Sequence, residues 1–385
     1  MLPFCDPDQL KLRGRARQWV DESLPTVRKR GISLEQQAVE LTRALGAEGF
    51  LKYAVPVAFG GAREKVQARD LCVLREELAR GDALADTMFA MQALGSVPVT
   101  LAGSLAQKKH LLERVARGEW ITAFALTEAE AGSDAASLQS RAERRGEEYC
   151  LNGAKRFISN AGIADSYVVF ASTDPSKKAR GISAFLLDGK RPGLAVQSID
   201  LLSPHPIGAL QFNDCMLPQD ALVGAEGQGL EIAFATLDLM RCTVGAAAVG
   251  LAQRALGEAV RYSQERRQFG RPIAEFQGIE FKLAEMATEL EASRLLVYQA
   301  AWAHDSGQSD AKMKSSMAKL YATEAAQRVV DQALQIHGGS GLIAGSMMER
   351  LYRDVRALRI YEGTSEIQKI IIARELLKAT GHRQQ

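Results

Sequence analysis

Apolar residues recur every three or four positions between charges over Ala68–Arg80 and Gln107–Gly118, the period of a helix that buries one face. The pattern predicts an N-terminal α-helical domain over residues 1–120, cut by turn signals at Pro56, Gly60–Gly61, Gly81–Asp82, and Gly95 with Pro98. Met88, Phe89, Met91 and Leu94 lie in its one stretch poor in charge, suited either to simple core or to the lining of an apolar ligand site. From Ile121 the period shortens: Tyr167–Ala171, Ile182–Leu187, Leu194–Ile199 and Leu210–Leu217 read as short strands punctuated by Gly, Pro and Asp. Within YCLNGAKRFIS, the Asn152–Gly153 pair predicts a hairpin turn, because both residues tolerate positive φ. A small central β-sandwich or barrel domain is expected over 121–225. After Gly224, Gly227 and Gly229 helical spacing returns in Ala246–Arg266, Gly278–His304 and Ala311–His337, predicting a C-terminal four-helix bundle domain over 226–385. The fold class is α+β, and the polar tail after Thr380 is expected to fray.

Charge narrows the list of partners. The 48 basic and 46 acidic side chains leave a net charge of +2, which provides no global field for nucleic acid or a lipid surface. The first residues lack the apolar core of a signal peptide, and no uncharged apolar run reaches the ~18 residues of a membrane helix, so a cytoplasmic protein without membrane insertion is expected. Cys5, Cys72, Cys150, Cys215 and Cys242 are scattered and read as reduced thiols. The histidines at 110, 205, 304, 337 and 382 show no ligand spacing, so no metal site is expected.

Several stretches carry candidate chemistry. In RIYEGTSEIQKIII, from Arg359, the hydroxyls of Thr364 and Ser365 precede a helical run as N-cap signals, placing Glu362 and Gly363 at a loop-to-helix junction beside an anion-binding helix end. LTEAEAGSD, from Leu126 to Asp134, gathers Thr127, Gly132 and Ser133 in a turn whose donors suit a polar cofactor edge or a phosphate. In RFISN, Phe157 and Ser159 fall on one side of an extended strand, an aromatic plane with a hydroxyl two residues on. ERRQFG from Glu265 and QIHGGSG from Gln335 follow long helical runs, and Arg241 sits among apolar neighbours in LDLMRCTVG.

The order and joint occurrence of these stretches resemble the acyl-CoA dehydrogenase family over nearly the whole chain, from about Asp8 to Lys378. FALTEAEAGSD with GAKRFISNAG, and QIHGGSG with RIYEGTSEIQ, correspond to its two signatures. The resemblance implies a flavoprotein that binds FAD, with Leu126 and Thr127 on the flavin's pyrimidine edge, Phe157 on its ring and Ser159 at N5. It assigns Arg266 and Phe269 to a neighbouring subunit's FAD, Gln335, Gly338 and Gly339 to the adenosine side, and Thr364 and Glu366 to further FAD contacts. Ser133, Arg241 and Gly363 fall where the family meets the acyl-CoA substrate, and Met240 and Val244 line the acyl pocket with Ala90 and Leu94. Glu362 matches the catalytic base, which takes the α proton while the backbone N–H of Glu362 and a ribityl hydroxyl meet the thioester oxygen. A shared cofactor implies a homodimer or homotetramer, and the family's electron acceptor is an electron-transferring flavoprotein.

The sequence also departs from the family pattern. Some relatives place the base at the position of Met240, which cannot act as one, so Glu362 is the candidate. Phe157 stands where many relatives have Trp. Ser203-Pro204-His205-Pro206 replaces a commoner Ser-x-Thr loop; His205 reads as a turn histidine between two prolines, with CoA phosphates or a carrier protein as the alternative contact. The bulk of Met240 predicts a narrow cavity that favours short or branched acyl groups. Three alternatives stay open: the same chemistry on a carrier-bound acyl group, an oxidase, and a catalytically silent binding or assembly member of the family.

Overall fold

The computed structural model describes residues 4–29 and 31–379. The tail after Thr380, expected to fray, and His382 lie outside the described residues. The chain forms two compact units, each assembled from separated stretches: Met1–Pro25, Gln67–Asp86 and Asp238–Gln385 in one, Thr26–Val66 and Thr87–Leu237 in the other.

Along the chain, helices precede and follow the run of strands. The elements are α1 (Pro7–Glu22), α2 (Leu24–Val27), α3 (Leu34–Ala47), α4 (Ala68–Gly81), α5 (Ala83–Ala102), α6 (Leu105–Arg117), β1 (Thr122–Ala125), β2 (Arg141–Arg145), β3 (Glu148–Ser159), β4 (Ser166–Ser172), β5 (Ile182–Asp188), β6 (Leu194–Ser198), β7 (Ile207–Pro218) and β8 (Leu222–Val223). They continue with α7 (Gly229–Glu265), the short strands β9 (Arg267–Gln268) and β10 (Arg271–Pro272), α8 (Gln277–Asp305), α9 (Ala311–His337), α10 (Met347–Ala357) and α11 (Ser365–Ala379).

In the sheet-bearing unit, the order is β6-β7-β3-β2-β4-β5-β8, with β1 parallel to β4. The hairpin predicted at Asn152–Gly153 is not there. Both residues lie inside β3, and the turn joining β2 to β3 is Gly146–Glu147, with Gly146 at φ +65° in the first central position that tight hairpins reserve for glycine. Gly153 is needed for another reason: a Cβ there would come within 2.6 Å of the Ser140 hydroxyl, next to a register shift between β3 and β7. The turn expected at Gly95 and Pro98 is also absent, since both lie within α5. Gly95 packs so closely on β1 that a Cβ would stand 2.4 Å from Thr122 Oγ1, so tertiary contact overrides the local breaker signal. Serine capping boxes start α3 at Ser33 and α6 at Ser104. Gln107, in the second of these boxes, also donates to the carbonyls of Asp220 and Leu222 and ties β8 down.

In the helical unit, α8 packs along α9, and α9 carries α10 and α11. Helix α7 reaches its neighbours through small residues. A Cβ on Gly245 would meet Val297 of α8 at 2.7 Å, and one on Gly250 would meet the Glu76 carbonyl of α4 at 2.2 Å. By length and composition α7 is apolar enough to cross a membrane, but 78% of its most apolar window is buried, as befits a core helix. Helix α4 has no capping side chain of its own; Asp305, at the end of α8, accepts from the backbone N–H groups of Ala68 and Arg69. A carboxylate on those orphan donors completes the helix start and complements its dipole.

Candidate active site

Glu362 is the centre of the site in the helical unit. It follows α10 in the loop that leads to α11, and Thr364 caps α11 by accepting from the Ile367 N–H at 3.3 Å, as its sequence position predicts. Glu362 adopts φ +53° and Gly363 φ +89°, so the chain turns through two left-handed residues in succession. A bulky residue rarely takes that conformation without support. The support comes from Lys319 of α9 and Gln368 of α11, whose side chains donate to the Gly363 carbonyl at 2.7 and 2.9 Å.

The Glu362 carboxylate is poised by its surroundings. Its Oε2 is buried and has no hydrogen-bond partner among the described residues. Burial raises its pKa to about 7, against the opposing pull of Arg75, Lys319 and Arg241. Those cations are themselves constrained. Arg75 of α4 is buried and grips Asp86 through both carboxylate oxygens at 2.8 and 2.9 Å, with a third bond to Thr243 Oγ1 at 2.9 Å. Its charge is therefore largely matched, and Glu362 keeps a raised pKa. Lys319 is fully buried and its own pKa falls to about 8, chiefly through desolvation. Arg241 pairs with Asp238 at 2.5 Å, yet its Nε is buried without a partner among the described residues. An unpartnered carboxylate oxygen and an unpartnered guanidinium nitrogen are the groups expected to meet a ligand.

Met240 and Val244, one turn apart on α7, are fully buried. Sequence reasoning missed Arg75, Asp86 and Lys319. The available signal was charge on otherwise buried helix faces, as where Lys319 follows Ser315, Ser316 and Ala318. At the far end of α9, Gln335 is exposed, and Gly338, at φ +56°, and Gly339 leave open space where a side chain would stand. Arg266 is exposed where α7 ends, and Phe269, at φ +50° in the β9–β10 turn, is 93% exposed. Glu366 lies exposed in the first turn of α11.

The sheet-bearing unit holds the other predicted residues. Lys155, buried in β3, donates to the Leu126 carbonyl at 3.1 Å and to Glu128 at 2.7 Å. Glu128 also accepts from the backbone N–H groups of Gln139 and Ser140. This buried pair, which the sequence reading did not single out, fixes the loop that carries Leu126, half-buried Thr127 and exposed Ser133. A break in the β3–β7 register between Lys155 and Ile158 leaves Phe157 at φ +58° and 49% exposed. Bulges re-aim side chains in this way beside functional sites. Ser159, two residues on, bonds His205 Nε2 at 3.0 Å. His205 is therefore more than the turn histidine the sequence suggested: the loop between β6 and β7 folds it back onto β3.

FAD fits these residues. In the sheet-bearing unit, the outward aromatic face at Phe157 and the hydroxyls at Thr127 and Ser133 suit a flat heterocycle with polar edges, and in the helical unit, taken by itself, the open, side-chain-free turn at Gly338 and Gly339 suits a polar group.

The three domain descriptions of one family match in succession: acyl-CoA dehydrogenase N-terminal domain over residues 6–119, middle domain over 123–215 and C-terminal domain over 227–377. The chain belongs to the acyl-CoA dehydrogenase family of flavin-dependent oxidoreductases, whose cofactor is FAD. It is similar to the 3-(aryl)acrylate reductase of Clostridium sporogenes, with 39% identity covering 97% of this chain and 100% of that protein. It is also 39% identical to the caffeyl-CoA reductase-Etf complex subunit CarC of Acetobacterium woodii, over 88% of this chain and 90% of that one. Among solved structures, butyryl-CoA dehydrogenase from Megasphaera elsdenii superposes with a TM-score of 0.90 at 36% identity, covering 97% of this chain and 99% of that one.

Proposed function

We propose that this protein oxidises an acyl-CoA thioester to its trans-2-enoyl form, with Glu362 as the base and an electron-transferring flavoprotein as acceptor. The observation that carries the reading is the Glu362 carboxylate, held on a supported left-handed turn with one oxygen unpartnered and a pKa of about 7. A base with that pKa is about half ionised at neutral pH and retains proton affinity, the compromise that general-base catalysis favours. Glu362 takes the α proton, and its backbone N–H, by the family resemblance, meets the thioester oxygen as negative charge grows there. FAD, when bound, supplies the acceptor for the β hydride. Leu126, Thr127, Phe157, Ser159, Gln335, Gly338, Gly339, Thr364 and Glu366 would hold it. Ser133, Arg241 and Gly363 would meet the substrate, and Met240 and Val244 would bound a cavity for a short or branched acyl group.

The exposed Phe269 and its neighbour Arg266 are the residues we assign to a partner subunit's FAD, which makes a homodimer or homotetramer the working unit. The association of CarC with an Etf supports the acceptor. The reductase names of two relatives favour a second reading, in which the same site runs toward saturation and Glu362 returns a proton to the α carbon.

The test is Glu362→Gln. The variant is expected to retain FAD and to bind acyl-CoA, while α-proton exchange and flavin bleaching by substrate fall by ~10²-fold or more. Exchange at the wild-type rate would remove Glu362 from its role. Bleaching of oxidised enzyme by a saturated ester, compared with reoxidation of reduced enzyme by an enoyl ester, separates the two directions.

A further inference from the structure

The Ser159 hydroxyl has a partner within its own unit. Ser159 ends β3 and pairs in register with Ile207 of β7, and Asn160 N–H donates to the Pro206 carbonyl at 2.7 Å. The Ser203–Pro206 loop is thus stitched to the strand that carries Phe157 and Ser159. Pro204 and Pro206 flank His205 and restrict the backbone on both sides. One ring nitrogen, Nδ1, lies 3.1 Å from the Ser203 carbonyl, and the other, Nε2, lies 3.0 Å from Ser159 Oγ.

The first contact decides the second. A carbonyl oxygen only accepts, so Nδ1 carries the proton and neutral Nε2 presents a lone pair. Burial lowers the pKa of His205, in keeping with the neutral ring. Ser159 must then donate to Nε2, which leaves its oxygen lone pairs as the only hydrogen-bonding capacity it can offer elsewhere.

We propose that His205 is a positioning residue that ties up the Ser159 proton and so makes the Ser159 oxygen an acceptor toward the flavin, favouring the flavin's reduced form. The inference rests on the proposed placement of the flavin at Phe157 and Ser159. Reduced flavin carries a proton on N5 that an oxygen can accept, whereas oxidised N5 has a lone pair and calls for a donor. With its proton held by His205, Ser159 serves the reduced form and withholds a bond from the oxidised one.

The test is the midpoint potential of FAD in the purified holoenzyme, followed by anaerobic redox titration. In His205→Leu, Ser159 regains a proton to donate to oxidised N5. The ratio of reduced to oxidised flavin at a fixed potential is expected to fall about fivefold to tenfold, the effect of one hydrogen bond. At ~30 mV per tenfold for a two-electron couple, that is a negative shift of ~20 to 30 mV. His205→Gln, whose side-chain oxygen can accept the same proton, is expected to stay near wild type. In a Ser159→Ala background, His205→Leu is expected to have no further effect, an outcome that general loosening of the loop would not produce. If His205→Leu does not retain FAD, His205→Phe keeps a flat ring without the acceptor and gives the same comparison.

An unchanged or raised potential in the His205 variant, beside a shift in Ser159→Ala, overturns the role of His205 and leaves the flavin placement standing. No shift in either variant removes Ser159 from the flavin and takes the placement with it.

Discussion

Lys319 donates from Nζ to the Gly363 carbonyl at 2.7 Å, so a fully buried ammonium on α9 holds the backbone one residue beyond Glu362. The same ammonium is one of the charges that temper the raised pKa of Glu362. Position and proton affinity of the proposed base therefore depend on one side chain, which touches neither through a direct hydrogen bond to the carboxylate.

Replacing Lys319 by Met keeps the length and removes both effects. The Lys319→Met variant is expected to lose ~10-fold or more in kcat/KM, because a small displacement of a catalytic group is costly. Its rate profile is expected to move to higher pH, since one of the cations that lower the Glu362 pKa is gone. A variant with full activity and an unmoved profile would show that Thr364 and Gln368 alone hold the loop.

The wild-type profile has a definite sign. Burial lifts Glu362 to about 7, and a base acts only when ionised, so kcat/KM is expected to fall as pH drops through about 7 and to level off above it. An inflection near the ordinary glutamate value of about 4.3 would mean that the carboxylate is solvated in the free enzyme.

The long elements were legible because pattern and propensity agree in them. Ala311–His337 was predicted with the bounds the structure shows, from an alanine-rich helical spacing with no internal breaker. Asn152–Gly153 and Gly95 were misread because each is a local signal that a closely packed neighbour overrides, and Pro98 lies within the same helix as Gly95. The candidate site was legible as motifs but not as geometry. Phe157, Phe269 and Glu362 all sit at positive φ, where local preference expects glycine, so nothing in their residue types announces the turn. The long-range partners, Lys319 with Gly363 and His205 with Ser159, are separated by 44 and 46 residues and follow only from the fold.

The helical unit also contains a charge network whose loss is measurable. Glu76 of α4 is fully buried and accepts from Arg13 of α1 at 2.9 Å, Arg294 of α8 at 3.1 Å and Tyr298 of α8 at 2.9 Å. Glu76→Ala removes a carboxylate that joins these three helices and leaves two guanidinium groups short of a partner. The expected cost is ~3 to 5 kcal/mol of unfolding free energy, visible as a lower denaturant midpoint; a loss below about 1 kcal/mol would mean that Glu77, which also meets Arg13 at 2.8 Å, compensates.

Met240 provides the test of acyl specificity. It lies on α7 one turn before Val244 and next to Arg241, and both apolar side chains are fully buried. If these residues close the acyl cavity, truncating the longer one opens volume where chain length is limited, and cavity volume sets how much apolar chain can be buried. Met240→Ala is expected to raise relative turnover on longer acyl-CoA esters, with each accommodated methylene worth up to ~0.8 kcal/mol, roughly fourfold in kcat/KM. Butyryl-, isobutyryl- and palmitoyl-CoA compared on wild type and variant give the measurement. A wild-type preference for palmitoyl-CoA, or a variant that loses stability by the ~2 to 5 kcal/mol typical of a core truncation with no change in chain preference, would make Met240 a packing residue and place the acyl limit elsewhere.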